Sequence, residues 1–188
     1  MKKSISAKEA LQRLIDGNAR YMNSLTNPGD ISPAIRKYTC ENGQNPYAII
    51  LACSDSREIP EAIFSAGIGE LFVIRVAGNV VDDHQLGSIE YAADHLGCAL
   101  VVVLGHDHCG AVDAAMNHEP DGHIKFITDE ISSAIKDEKD EFRACCLNVA
   151  HSVEIIDGNV DIKRLEEDGL MVVGAIYHLE DGRVEFLA

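Results

Sequence analysis

The chain is poor in positive charge and has no long apolar stretch. Its 188 residues carry 16 Lys and Arg against 31 Asp and Glu, a formal net charge of −15. Phosphate backbones are bound through clustered Lys and Arg, so this balance argues against a nucleic-acid partner. No apolar run approaches the roughly 20 residues that a membrane-spanning helix needs, and no membrane association is expected. No signal peptide is expected either, because Met1-Lys2-Lys3-Ser4 leads into an amphipathic pattern and not into an apolar core with a cleavage site. A cytoplasmic location is therefore expected, with reduced thiols in place of a disulfide framework. Internal repeats, low-complexity tracts and linkers are absent as well. One domain is expected over residues 1–188, long enough for a well-buried core, with a helical arm over 1–45 and an α/β core over 46–188.

Three short apolar runs stand out, at residues 47–52 (YAIILA), 71–76 (LFVIRV) and 99–104 (ALVVVL). Continuous runs of this length mark strands buried on both faces. Between the second and third, Leu86, Ile89, Ala92, Ala93 and Leu96 repeat with a helical period. Ahead of them, Ser6 and Glu9 have the spacing of a capping box, and Ala10, Leu11, Leu14, Ile15 and Tyr21 form a helical stripe. Asn27-Pro28-Gly29-Asp30 then breaks the chain. Residues 123–157 read as mostly helical and 160–167 as a further helix. Residues 171–179 are apolar again, and Asp181-Gly182 signals a hairpin into residues 184–187. Strands alternating with helices predict an α/β fold with a mostly parallel central sheet, an antiparallel edge strand and flanking helices.

Six cysteines are present: Cys40, Cys53, Cys98, Cys109, Cys145 and Cys146. Cys98, Cys145 and Cys146 lie in apolar or helical surroundings and read as packing residues; Cys40 is assigned no role. Cys53 and Cys109 have polar company, in Cys53-Ser54-Asp55-Ser56-Arg57 and His106-Asp107-His108-Cys109. Cys53 directly follows the first apolar run, and His106 follows the third by one glycine. Functional residues in open α/β sheets gather at such carboxyl ends. Zinc takes thiolate and imidazole ligands, and a catalytic zinc keeps one position open. Cys53, His106 and Cys109 are thus candidate ligands, with Gly105 and Gly110 expected to supply backbone freedom around the loop. Asp55 has two readings. It is either the fourth ligand of a closed site or, paired bidentately with Arg57, a carboxylate held off the metal.

This pattern resembles the β-class carbonic anhydrases, whose Cys-x-Asp-x-Arg and His-x-x-Cys motifs are matched by Cys53, Asp55, Arg57, His106 and Cys109. The likeness extends through residues 73–79, 88–92, 110–112 and 173–177, and covers essentially 48–187. It implies reversible hydration of carbon dioxide to bicarbonate and a proton, with zinc as cofactor and zinc hydroxide as nucleophile. Asp55 would orient that nucleophile and Arg57 would fix Asp55. The family's pocket glutamine, phenylalanine and tyrosine fall at Gln44, Phe72 and Tyr91, with Ala77 and Gly110 also in the pocket. In the family these residues often face the zinc of a neighbouring subunit, so a homodimer or dimer of dimers is implied, with the N-terminal helix packing on a partner. Glu58 departs from the family pattern, standing where many members carry an apolar residue, and Ala77 stands where some have a larger one. The bicarbonate-regulated branch carries a tryptophan at the position of Ile50, and this chain has no tryptophan; the unregulated, water-liganded branch is implied. His108, between the ligands, is read as a solvent-facing loop residue or a proton carrier. His84, His95, His118, His123, His151 and His178 have no ligand-like spacing. Alternatives on the same scaffold are hydrolysis of carbonyl sulfide or carbon disulfide, and a non-catalytic zinc protein.

Overall fold

Four apolar runs that can each bury two faces at once assemble side by side as a parallel sheet. In this computed structural model, which describes residues 5–26, 29–117 and 120–187, they are β1 (Ala48–Ala52), β2 (Leu71–Arg75), β3 (Leu100–His106) and β4 (Met171–Tyr177). A short β5 (Val184–Phe186) pairs antiparallel with β4, and the order across the sheet is β2-β1-β3-β4-β5. The parallel core and antiparallel edge agree with the sequence reading. Asn27 and Pro28 of the expected break, and His118, lie outside the described residues.

Every residue of β1 and β3 is buried, and each fully buried Ile or Leu contributes about 2 kcal/mol. Their side chains alternate between two cores. Ile50, Leu100, Val102 and Leu104 face one side. There they meet α1 (Ala7–Asn23) and the single turn α3 (Pro60–Ile63), through Ala7, Ala10, Leu14, Ile63 and Phe64. Between these two helices comes α2 (Pro33–Asn42), which has no buried residue. It starts on a Ser32 cap with Pro33 in its first turn, but lacks the apolar stripe that would reveal it in the sequence. On the other face, Ile49, Leu51, Val101 and Val103 pack against five helical segments. These are α4 (Asp83–Glu90) with its π-helical continuation Tyr91–His95, α5 (Gly110–Asn117), α6 (Ile124–Ile135), α7 (Glu141–Gly158) and α8 (Val160–Glu167).

Part of the apolar stripe of α1 lies on the chain's own sheet, through Ala10 and Leu14, while Ile15 and Met22 of the same helix are exposed. The capping box at Ser6 and Glu9 forms with both of its bonds. Buried Asn18 then ties α1 to the β4–β5 hairpin, donating to the Gly182 carbonyl at 2.8 Å and accepting from the Val184 amide at 2.9 Å.

Close approach of α1 to α3 needs a glycine. A Cβ on Gly17 would sit 2.1 Å from the Phe64 carbonyl oxygen, nearer than any side chain tolerates. Alanine favours a helix over glycine by about 1 kcal/mol, but overpacking against backbone costs about 1–3 kcal/mol, and the clash should win. Gly17→Ala is expected to lower stability in urea denaturation, and a variant as stable as the parent would show the contact to be looser than described.

Candidate metal centre

The chain leaves β1 to build β2 on one side and returns to build β3 on the other, so the strand order reverses between β1 and β3. A crevice opens at the carboxyl ends of strands at such a switch point. Ala52 pairs with Leu104; Cys53 is the next residue after β1 and His106 the last of β3. Cys109 arrives through a tight loop just before α5. The left-handed residue of that loop is His108, with φ of 50°. The glycines on either side, expected to supply the freedom, have no such conformation. Gly105 is needed for a different reason: a Cβ there would lie 2.4 Å from a Val149 methyl of α7.

Cys53, His106 and Cys109 are all buried, and their ligand atoms lie within 4.8 Å of one another. His106 Nδ1 is bonded to the Asp107 carbonyl at 2.7 Å. Its Nε2 is buried and has no hydrogen-bond partner among the described residues. A ring nitrogen fixed on one side and unused on the other is the arrangement of a metal-bound imidazole. The Cys53 sulfur accepts from the Gly78 amide at 3.2 Å. The contact with the Cys109 thiol lowers Cys53, while the same contact and burial raise Cys109. A divalent cation lets both become thiolates. The orphaned nitrogen and the paired sulfurs fit zinc.

Around this triad the 53–58 loop closes on itself. Arg57 grips Asp55 with two bonds, Nε to Oδ1 at 2.9 Å and Nη2 to Oδ2 at 2.7 Å, and reaches the His108 carbonyl at 3.1 Å. Those bonds hold the Asp55 carboxyl well below the usual carboxylate range. Asp55 Oδ2 remains 3.8 Å from His106 Nε2. Arg75, at the end of β2, donates to the Cys53 carbonyl at 2.9 Å and to the Asp55 carbonyl at 2.7 Å. Glu58 is fully buried, and burial pushes its carboxyl up to about 8.

The pocket residues divide into two groups. Ala77 opens the short turn that carries Gly78, whose amide reaches the Cys53 sulfur, and Gly110 begins α5 directly after Cys109. Phe72 pairs with Ile49, four residues before Cys53 and so about 13 Å back along the strand. Tyr91 is half exposed and lies against Phe72, with ring centroids 6.1 Å apart. Gln44 is exposed beyond α2. His108 is exposed and has a partner in Glu141, 3.4 Å away. Three site residues escape a reading of the sequence: Arg75, Gly78 and Asp107. Arg75 alone leaves a trace, as the one charge inside an apolar run.

Fold and donor set together define the class, an α/β metalloenzyme with its centre at the sheet's switch point. The carbonic anhydrase family model matches residues 48–184. A carbonic anhydrase of Mycolicibacterium smegmatis is 36% identical, covering 94% of this chain and 91% of its own length. Carbonic anhydrase 2 of Mycobacterium tuberculosis is 37% identical over 75% and 74%. Among solved structures, a tetrameric β-carbonic anhydrase of Sordaria macrospora superposes with a TM-score of 0.73 at 26% identity, covering 82% and 92%. A Coccomyxa β-carbonic anhydrase, solved with acetazolamide, gives 0.71 at 25% identity over 84% and 86%. The chain belongs to the β-class carbonic anhydrases and is a carbonate dehydratase that uses zinc to hydrate carbon dioxide.

Burial pushes the Cys98 thiol up to about 12, and Cys40 is exposed on α2. Cys53→Ser and Cys109→Ser should each leave the purified, folded protein with less than half its zinc, whereas Cys40→Ala and Cys98→Ala should keep it. Metal analysis beside circular dichroism checks this, and an unchanged zinc content in either serine variant would remove that cysteine from the ligand set.

Proposed function

We propose that Cys53, His106 and Cys109 hold the zinc, and that Asp55, fixed by Arg57, is the acceptor that aims the nucleophile. Zinc, when bound, supplies the Lewis acidity that makes water a nucleophile near neutral pH. The observation that carries the reading is the pair of hydrogen bonds from Arg57 to Asp55 while Oδ2 stays 3.8 Å from His106 Nε2. Asp55, ionised, can accept a hydrogen bond but not donate one. It therefore selects the orientation in which the nucleophile's proton points at Oδ2 and its lone pair at the carbon of carbon dioxide. Arg57 also ties this carboxylate to the His108 carbonyl in the ligand loop, so ligand and acceptor keep their spacing.

Gln44, Phe72 and Tyr91 are proposed to complete the site of a second subunit. The register of Phe72 and the exposure of Tyr91 support this; so does α2, which has no fully buried residue on its own chain. The assembly is a homodimer or a dimer of dimers. A cytoplasmic location is proposed from the six free thiols, two of which must be reduced to bind metal; no helix among the described residues is long and apolar enough to cross a membrane. Ile50, fully buried in β1, supports the unregulated branch.

Stopped-flow hydration with zinc measured on the same sample tests the reading. Asp55→Asn should lose about 100-fold or more in turnover, the scale of a positioned proton acceptor, while keeping its zinc. Zinc loss in that variant would instead make Asp55 a ligand. Two thiolates bring two negative charges to the centre, so the reactive deprotonated water forms at higher pH than beside three neutral imidazoles. The hydration rate should climb from neutral pH toward pH 9, and a flat profile would count against the mechanism.

A further inference from the structure

Cys53 is anchored at three points besides its place after β1. Its sulfur accepts from Gly78 and its carbonyl from Arg75. The third anchor is Glu58, whose Oε2 accepts the Cys53 amide at 2.7 Å. The Glu58 side chain is fully buried, and its second oxygen, Oε1, has no hydrogen-bond partner among the described residues. Glu58 is itself held by the loop it closes, its own amide donating to the Asp55 carbonyl at 3.1 Å. The 53–58 segment thus becomes a ring, joined at Cys53 and Glu58, that carries a ligand, the Asp55 carboxylate and Arg57. A buried carboxyl is costly to keep without a partner, yet an apolar side chain here would leave the Cys53 amide without an acceptor.

We propose that Glu58 is a positioning residue for the metal: its carboxyl oxygen fixes the Cys53 backbone so that the sulfur is preset toward His106 and Cys109. The bond needs only an acceptor oxygen, which a carboxyl and a glutamine amide both provide. Outer partners of metal ligands affect metal affinity or activity by about 10–100-fold, and Glu58 acts at that level through the backbone of its ligand.

The inference rests on Cys53 being a ligand, which Cys53→Ser tests separately. Zinc affinity is measured by chelator competition on the full chain, with the thiolate-to-cobalt absorption of the cobalt-loaded protein as a second readout and circular dichroism as a check on folding. Glu58→Gln should stay within about threefold of the parent and keep the cobalt band. Glu58→Met, close in size but without an acceptor, should bind zinc about tenfold or more weakly and alter the band. Retained affinity in Glu58→Met overturns the proposal, as does a loss in Glu58→Gln equal to that in Glu58→Met. If Glu58→Met does not fold, Glu58→Asp decides: it keeps the carboxyl but is one methylene short, and parental affinity there overturns the proposal. Should Cys53→Ser keep its zinc, the ligand assignment fails first; should it lose zinc while Glu58→Met retains it, only the role of Glu58 fails.

Discussion

β1 and β3 are neighbours, run parallel, and are buried along their whole length. Neither can turn away before its last residue without exposing apolar surface, so both release the chain at one edge of the sheet. There Cys53 and His106 meet. The registers of β1 with β3 and with β2 place Ala52 beside both Leu104 and Arg75, which brings the Arg75 guanidinium under the loop that follows Cys53. Strand side chains alternate with a period of two, so a one-residue slip of β2 would send Arg75 to the opposite face and leave two loop carbonyls without their donor. The geometry of the centre is therefore inherited from the hydrophobic burial of the strands that end on it.

Within the crevice, burial and charge oppose one another. Asp55 stays partly exposed and gains two bonds from one guanidinium, an arrangement that favours its ionised form. Glu58, five residues past Cys53, has no guanidinium bonded to it and is fully buried, and its carboxyl moves the other way. The loop thus holds one acid that is firmly charged and one that burial discourages from charging. The first lies 3.8 Å from His106 Nε2, and it is the one suited to steady acceptance of a hydrogen bond.

The strands and the cluster of Cys53, His106 and Cys109 were legible in the sequence because apolar runs end on residues with metal chemistry. Arg57 was legible as the partner of Asp55 at a spacing of two. Other parts were not, for identifiable reasons. Helix α2 has a Ser-Pro start but no apolar stripe, and none of its residues is fully buried. His108 adopts a left-handed backbone that glycines on either side were expected to take. Gly78 and Asp107 act through a backbone amide and a carbonyl, and the identity of a side chain says little about such roles. Glu58 was visible only as an oddity, a charge at an apolar position, and its acceptor role depends on the loop folding back by five residues.

The overall charge of −15 bears on the two sides of the reaction differently. Carbon dioxide carries no net charge, so the protein's field neither steers nor repels it. Bicarbonate is an anion, and an acidic surface disfavours its approach over the roughly 8 Å that physiological salt leaves unscreened. The cations nearest the centre could reverse this by gripping the product, but Nε and Nη2 of both Arg57 and Arg75 are committed to Asp55, Cys53 and His108. A carboxylate-like product finds the Nε–Nη2 edge of each fork already occupied by the protein's own oxygens. The arginines that build the loop thus have one edge of each fork engaged by it, which leaves only the Nη1 side to meet the bicarbonate.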